Sequence, residues 1–336
     1  MRHCAVWHIA ILYLSFILGA VEPETITTMS CSFVLLLLLG TSAALLSPAQ
    51  HLLQLASSQK GILLPGVYDA LSSKIFERQG APVLFLSGFG VSAAKLGDPD
   101  AGIVTYSEME ETTRHVCSSV KVPVFVDGDT GYGGTATMRR AIRGLAAAGA
   151  AAITIEDQVF PKRCAYAAGV RVVDREASVR RVKTALASRQ EALEQDGNHV
   201  LIVGRTDCRA SLGFDEALAR CLAYQELGAD IVYAENLQSM DEYVQLRQQI
   251  STPMILAQVQ MDAPLLSLQE IADMGYNFAL FGVTGLQATV AALQGAADEM
   301  MVTGFVGQQP LSTFSNVKEV VGFQDLEDFE KEYYCE

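Results

Sequence analysis

Paired cysteines are missing from this chain. The seven thiols, at positions 4, 31, 117, 164, 208, 221 and 335, never fall into CxxC spacing. Odd in number and scattered, they read as reduced cysteines and not as a disulfide framework. None of the five histidines lies at ligand spacing from a cysteine, so a zinc site has no support. Positive charge is scarce as well. The 24 lysines and arginines stand against 38 aspartates and glutamates, a net charge of −14. No basic patch is left to neutralise phosphates, which argues against nucleic-acid binding. The glycine-rich "DGDTGYGG" at 127–134 lacks the lysine of a P-loop and does not fit GxGxxG. No linker or low-complexity tract divides residues 47–306, so that span reads as one domain.

Apolar residues, by contrast, are plentiful. Half of the 336 residues are hydrophobic, a composition that suits helices packed closely on strands. Two apolar runs, 5–20 and 33–46, precede the main domain. Each is short for a membrane span and resembles the hydrophobic core of a signal sequence. Residues 1–46 are therefore expected to be a targeting leader, removed or retained as an anchor. It would serve an organelle (mitochondrion or plastid) or the secretory route. Met29 is an alternative start, and small residues at 41–44 offer a cleavage site, with a mature chain beginning between about Ala43 and Gln59.

From about Ser47 onward, short apolar runs alternate with stretches of helical period. The strand candidates are 62–66, 83–88, 122–129, 151–157, 200–207, 230–236, 253–259 and 278–283. They are continuously apolar, as strands buried on both faces are. Eight is the number at which parallel strands close into a (β/α)8 barrel. One helix should bury Met138, Ala141, Ile142, Leu145 and Ala148; another should run from Asp215 and stop at Gly228. The barrel is assigned to 47–306 and a C-terminal helical extension to 307–336, with "DLEDFEKEYYCE" as a solvated helix face.

Polar residues gather at the strand ends. Asp127 and Asp129 close the third strand, Glu156 and Asp157 the fourth, Arg205 and Asp207 the fifth, Glu235 and Asn236 the sixth. In a barrel these ends share one mouth, where active sites of this architecture sit. Carboxylates around a mouth repel one another unless a cation intervenes, and hard oxygens without histidine favour magnesium or manganese. The alternative is that each acid caps the next helix. Either reading serves a single acid; the set together with Arg205 favours a metal.

In order, "SGFGVSAAKLGDPD", "DGDTGYGG", "IEDQVFPKRC", "GRTD" and "VVGF" resemble the isocitrate lyase and phosphoenolpyruvate mutase superfamily, closest to its short methylisocitrate and dimethylmalate lyase-like and oxaloacetate hydrolase-like branch. The likeness covers about 60–323. It implies a (β/α)8 barrel whose last helix is exchanged between subunits, a homotetramer built of such dimers, magnesium, and a small 2-oxo- or 2-hydroxy-acid substrate. Carried over by position, it places Ser87, Gly88 and Phe89 on a substrate carboxylate. Asp127 would be the nearest metal ligand, with Asp100, Asp129 and Glu156 reaching the ion mostly through water. Arg205 would hold the reacting oxygen and Glu235 would line the opposite wall. Cys164 stands where the lyase branch carries its catalytic cysteine in a K-[KR]-C-G-H loop, after Lys162 and Arg163.

A thiol on such a loop can protonate the carbanion left by carbon–carbon cleavage, and its neighbouring cations are expected to draw it toward thiolate. The residue-level alternative is a small buried filler. Two positions depart from the lyase pattern. Ala165 and Tyr166 replace glycine and a histidine implied to bind the second substrate carboxylate, and Gln258 replaces an asparagine on the substrate side. The expectation is a magnesium-dependent carbon–carbon lyase acting on a methylisocitrate-, dimethylmalate- or oxaloacetate-like acid. A phosphonomutase or carboxyphosphonoenolpyruvate-type enzyme on the same scaffold, and a non-catalytic barrel, are the rivals.

Overall fold

The computed structural model describes residues 46–260 and 265–334; the apolar runs of the expected leader, up to Leu45, fall outside them. Eight strands form, seven inside runs marked by the sequence and the first extending one residue past its run, to Val67. They are β1 (Ile62–Val67), β2 (Leu84–Leu86), β3 (Val124–Asp127), β4 (Ala152–Ile155), β5 (Leu201–Thr206), β6 (Ile231–Ala234), β7 (Met254–Ala257) and β8 (Phe278–Phe281). The helices are α1 (Pro48–Ser58), α2 (Ala70–Arg78), α3 (Gly88–Val91), α4 (Tyr106–Ser119), α5 (Thr135–Ala147), α6 (Arg175–Asp196) and α7 (Arg209–Leu212). They continue with α8 (Phe214–Glu226), α9 (Met240–Gln249), α10 (Leu268–Asp273), α11 (Thr284–Thr303), α12 (Phe314–Val321) and α13 (Phe323–Tyr333). All strand pairs are parallel, and β8 returns to β1, with Ile62 opposite Phe278 and Leu64 opposite Leu280. The sheet is a closed (β/α)8 barrel.

Alternate residues of each strand enter different cores, as the two-residue period of a strand requires. Phe85, Phe125, Leu201, Val203, Ile231, Ile255 and Phe278 fill the barrel interior. Leu84, Leu86, Val124, Val126, Ile153, Ile155 and Ile202 face outward under the helices. Both sets are buried, which is why the strands read as unbroken apolar runs. Inside, Phe125 meets Phe278 edge to face at 5.1 Å. On α5, Met138, Ala141, Ile142 and Leu145 are buried as expected, with Ala146 beside them. On α8 the buried side adds Arg220 and Tyr224 to Ala217 and Cys221.

Ser47 caps α1 by accepting a hydrogen bond from the Gln50 amide. Ala49, Leu52 and Ala56 then join the interior core, and Asn277 Nδ2 donates to the Ala56 carbonyl at 2.7 Å. α1 therefore closes the N-terminal end of the barrel. At the other extreme, α11, α12 and α13 contain no buried residue. They leave Met301 and Val302 86% and 85% exposed, with Phe314, Phe329 and Tyr333 also in solvent. The described part of the "DLEDFEKEYYCE" stretch, 325–334, is thus solvated, but apolar side chains share its face. Among the described residues no helix is long and apolar enough to cross a membrane.

The packing of α1 narrows the expected start of a mature chain. A cut near Gln59 would delete α1 and uncover the barrel floor, so processing should stop at or before Ser47. N-terminal sequencing of the mature protein should find that start; a start beyond Leu52 would show that α1 is dispensable.

Candidate active site

The strand ends carry the site, and the local geometry explains how. At the end of β2, Ser87 caps α3, its Oγ accepting from the Gly90 amide at 3.3 Å. β3 ends on Asp127, and the chain then turns sharply. Asp129 and Tyr132 adopt the left-handed region at φ 47° and 60° beside Gly131 at 86° and Gly133 at 140°. Non-glycine residues there carry strain that surrounding contacts must hold. The glycines do let the backbone turn beneath the two aspartates. Asp127 accepts from the Gly88 amide at 3.2 Å and from the Asp129 amide at 3.3 Å. The Gly88 amide, expected to face a substrate carboxylate, is turned to Asp127 instead. A Cβ at Gly88 would lie 3.0 Å from Asp127 Oδ2 and 3.2 Å from Asp129 Oδ1, so a larger residue would press on both carboxylates.

After β4, successive side chains point in different directions. Glu156 turns inward, 3.5 Å from Arg205 Nε, while its other oxygen, Oε1, has no hydrogen-bond partner. Asp157, expected in the same ring of acids, belongs to the wall behind it. It accepts from Thr206 Oγ1 at 2.6 Å, the Asp207 amide at 2.9 Å and Arg220 Nη1 at 2.8 Å. This carboxylate braces β4 against β5 and α8. Breaking such a fully buried pair typically costs about 3–5 kcal/mol. Helix capping does not explain the acids at the mouth. The side-chain caps are Ser47, Asp69, Ser87, Thr105, Asp174, Ser239, Ser267 and Thr313.

Arg205 sits at the centre. Its Nε and Nη2 donate to Asp207 at 2.7 and 3.1 Å, Nη2 lies 3.3 Å from Glu235, and the guanidinium stacks 5.2 Å from the Tyr233 ring. Glu235 also accepts from Tyr166 Oη at 2.9 Å and from Tyr233 Oη. Tyr166, one of the departures from the lyase pattern, thus occupies the wall beside Arg205.

Lys162 corrects the expectation for the cysteine loop. Its ammonium is buried between Asp100 and Asp129, 2.7 Å from the latter. Burial alone would lower its pKa, but these carboxylates hold it well above the usual lysine value. Asp129 is pushed up to about 7, by burial first, against the pull of Lys162. Glu156 is held well above the carboxylate range by burial and then by Asp207. Arg163 points its guanidinium at the Ala168 carbonyl, 3.3 Å away. Neither cation is spent on the thiol. Cys164 is half-buried, and burial raises its pKa above the ordinary thiol value, with Asp100 opposing the smaller downward pulls of the Tyr166 backbone, Arg205 and Lys162. The group is held as a thiol, the form a general acid needs.

These groups meet in a cavity of about 520 Å³ lined by Ser87, Phe89, Asp100, Asp127, Lys162, Cys164, Arg205, Glu235 and Gln258. Gly88, Asp129 and Glu156 are not on its lining. Gln258, expected on the substrate side, lines the cavity, and its amide is also committed to the backbone. Its Nε2 donates to the Leu266 carbonyl at 2.9 Å and its Oε1 accepts from the Leu266 amide at 2.6 Å, pinning the loop after β7. Sequence reasoning missed Tyr233 and the α11 wall, where Leu286, Gln287, Val290 and Gln294 line the cavity. Tyr233 had a signal, an aromatic hydroxyl two residues before Glu235 and therefore on the same side of its strand. The α11 contacts had none.

A profile of the family described as phosphoenolpyruvate phosphomutase matches residues 52–301. The chain belongs to the phosphoenolpyruvate mutase/isocitrate lyase superfamily. It is 33% identical to 2-methylisocitrate lyase of Aeropyrum pernix over 83% of this chain and 89% of that protein. It is 30% identical to 2,3-dimethylmalate lyase of Eubacterium barkeri, over 86% and 99%. With the chloroplastic carboxyvinyl-carboxyphosphonate phosphorylmutase of Arabidopsis thaliana it shares 31%, over 83% of each. Among solved structures, oxaloacetate acetylhydrolase with 3,3-difluorooxalacetate superposes at a TM-score of 0.81 and 28% identity, over 87% of this chain and 98% of that one. Phosphonopyruvate hydrolase with oxalate and Mg++ superposes at 0.76 and 26%, over 86% and 100%. The chain is thus an enzyme of a superfamily of lyases and mutases that act on small acids.

The superfamily's divalent cation can be tested against these residues. Among the described residues no three acids, histidines or cysteines already surround a common point, because Lys162 stands between Asp100 and Asp129. The donor chemistry nevertheless fits. Asp100, Asp127, Asp129, Glu156, Asp207 and Glu235 outnumber Lys162 and Arg205. Four buried side-chain oxygens among the described residues have no hydrogen-bond partner, and two of them are carboxylate oxygens of the mouth, Glu156 Oε1 and Asp129 Oδ1, the latter ion-paired with Lys162; orphaned buried acceptors are rare in finished sites.

The raised thiol reverses the first expectation for Cys164. In chelator-treated protein, iodoacetamide should label Cys164 more slowly at neutral pH than an exposed cysteine. Because the pKa is raised, labelling should reach half its plateau rate at a pH above the ordinary thiol value. Rate against pH, with the site mapped by mass spectrometry, checks this; a profile centred below that value would restore the thiolate picture.

Proposed function

We propose that this enzyme is a magnesium-dependent carbon–carbon lyase, with manganese as the alternative ion, acting on a small 2-hydroxy- or 2-oxo-dicarboxylate or tricarboxylate. The observation that carries this reading is Cys164 on the lining of the cavity that Arg205 also lines, where burial raises the thiol pKa. Ser87 and Arg205 would take the substrate's carboxylate and reacting oxygen, with Phe89 against its carbon skeleton. Asp127, Asp129, Glu156 and Asp100 would hold the cation, which supplies Lewis-acid stabilisation of the 2-oxo-acid fragment when bound. Lys162 holds Asp100 and Asp129 in register and offsets their charge. As the bond next to a carboxylate of a 2-hydroxy acid breaks, the hydroxyl gives up its proton to solvent and becomes the carbonyl of the 2-oxo-acid fragment, while the electron pair of the broken bond stays on the departing fragment. Cys164 Sγ–H donates its proton there, leaving a thiolate that solvent reprotonates after release. Glu235, fixed by Tyr166 and Tyr233, closes the wall beyond Arg205. The exposed apolar arm of α11–α13 supports a homo-oligomer, since contiguous apolar surface of that kind marks an interface; a tetramer of helix-swapped dimers is the proposed form. Residues 1–46 are proposed as a leader to an organelle or the secretory route, a reading to which the chloroplastic name of the Arabidopsis relative lends support.

The mutase reading has one observation in its favour. Tyr166 occupies Glu235 at the place where the lyase pattern puts a histidine. A screen with magnesium against methylisocitrate, dimethylmalate, oxaloacetate and phosphonopyruvate separates the two. On the acid that is turned over, Cys164→Ser should lower kcat by on the order of 10² to 10⁴, with little change in KM. A near-wild-type rate would make Cys164 a packing residue and favour the mutase. Asp127→Ala should abolish both turnover and magnesium binding measured by calorimetry while the barrel stays folded. Retained activity of that variant in chelator would remove the metal from the reading.

A further inference from the structure

The side chain of Gln158 is buried, and the lyase chemistry proposed above does not use it. Its amide is nonetheless fully committed. Oε1 accepts from the Arg163 backbone N–H at 3.0 Å; Nε2 donates to the Arg163 carbonyl at 2.8 Å and to Asp207 Oδ2 at 2.6 Å. Only this orientation of the amide matches two acceptors and one donor, so the network assigns it. The next residue after Arg163 is Cys164, whose own N–H donates to the Asp100 carbonyl at 2.9 Å. The peptide unit that carries Cys164 is therefore hydrogen-bonded on both edges, to Gln158 on one and to Asp100 on the other. Through Asp207, the same amide reaches the carboxylate that grips Arg205 twice.

We propose that Gln158 is a positioning residue that sets the Cys164 loop against the Arg205–Asp207 pair, so that the acid and the guanidinium keep one fixed separation. This rests on the lyase reading for its catalytic meaning, but not for its structural content. Gln158 follows Glu156 and Asp157 directly. Glu156 faces Arg205, Asp157 accepts from the Thr206 hydroxyl and the Asp207 amide, and Gln158 takes the Asp207 side chain. The residues after β4 thus fix the end of β5 from three sides. Catalysis depends on reacting groups being held within fractions of an ångström, and a misplacement of about 1 Å can cost on the order of 10² in rate.

The experiment uses Gln158→Met, which keeps the length and removes all three hydrogen bonds, and Gln158→Glu, which keeps only the acceptor and sets a second carboxylate against Asp207. Circular dichroism establishes that each is folded at the assay temperature. Two readouts need no substrate. Trypsin should cut after Arg163 and Arg171 on the order of tenfold faster than in wild type, and iodoacetamide should label Cys164 several-fold faster, because the loop opens locally. On the acid found by the screen, kcat should fall by on the order of 10 to 10² while KM changes less than about fivefold, a split that general destabilisation does not produce. A folded variant with wild-type cleavage and labelling overturns the proposal, as does a loosened loop with unchanged kcat in an enzyme that Cys164→Ser inactivates. If Gln158→Met does not fold, Gln158→Glu decides by the same measurements. Should Cys164→Ser stay active while the Gln158 variants loosen the loop, the clasp stands and only the lyase reading falls.

Discussion

The architecture at the barrel mouth is governed by one electrostatic problem: more carboxylates converge there than cations to meet them. Lys162 lies buried between Asp100 and Asp129, and Arg205 between Glu156, Asp207 and Glu235. In a low-dielectric pocket an unpaired carboxylate is costly. Burial first, and then the neighbouring carboxylates, raises the pKa of Asp129 and Glu156 against the pull of these cations. The site's donor chemistry suits the hard cation proposed for it. It also explains why the loop containing Lys162 is anchored where it is, since the ammonium cannot leave without exposing two carboxylates to each other.

That anchoring changes the meaning of the adjacent cysteine. In a linear sequence, two cations before a thiol suggest a reactive thiolate. In the folded chain one cation faces inward to carboxylates and the other curls back onto its own loop, so the thiol is left with burial as the dominant influence. The outcome favours proton donation over nucleophilic attack. Carbon–carbon cleavage needs a proton at the end of the step, so the chemistry proposed for the site and the electrostatics of the loop agree.

Two buried glutamines perform parallel tasks. Gln158 clasps the Arg163 backbone through both its amide ends, and Gln258 clasps the Leu266 backbone in the same way. Each sits just beyond a strand and fixes a loop at the rim of the cavity. A neutral amide suits this task better than a charged group, because it satisfies a donor and an acceptor at once without adding to the negative field.

The eight strands and the barrel were legible in the sequence because a strand buried on both faces leaves an uninterrupted apolar run, and its end is marked where polar residues begin. The mouth residues were legible for the same reason: Asp127, Glu156, Arg205 and Glu235 all stand at those ends. Direction was not. Glu156 and Asp157 are neighbours in sequence, yet one faces Arg205 and the other Arg220, and only the placement of β5 and α8 decides which partner each finds. Gln258 could be placed on the substrate side, and it lines the cavity, but its hydrogen bonds to the Leu266 backbone were not legible. The α11 wall could not be read at all, since its residues reach the cavity through the closure of β8 against β1, a contact between the two ends of the barrel. Local pattern determines which residues are buried and where strands stop; partners across the barrel depend on long-range closure, which no short stretch of sequence records.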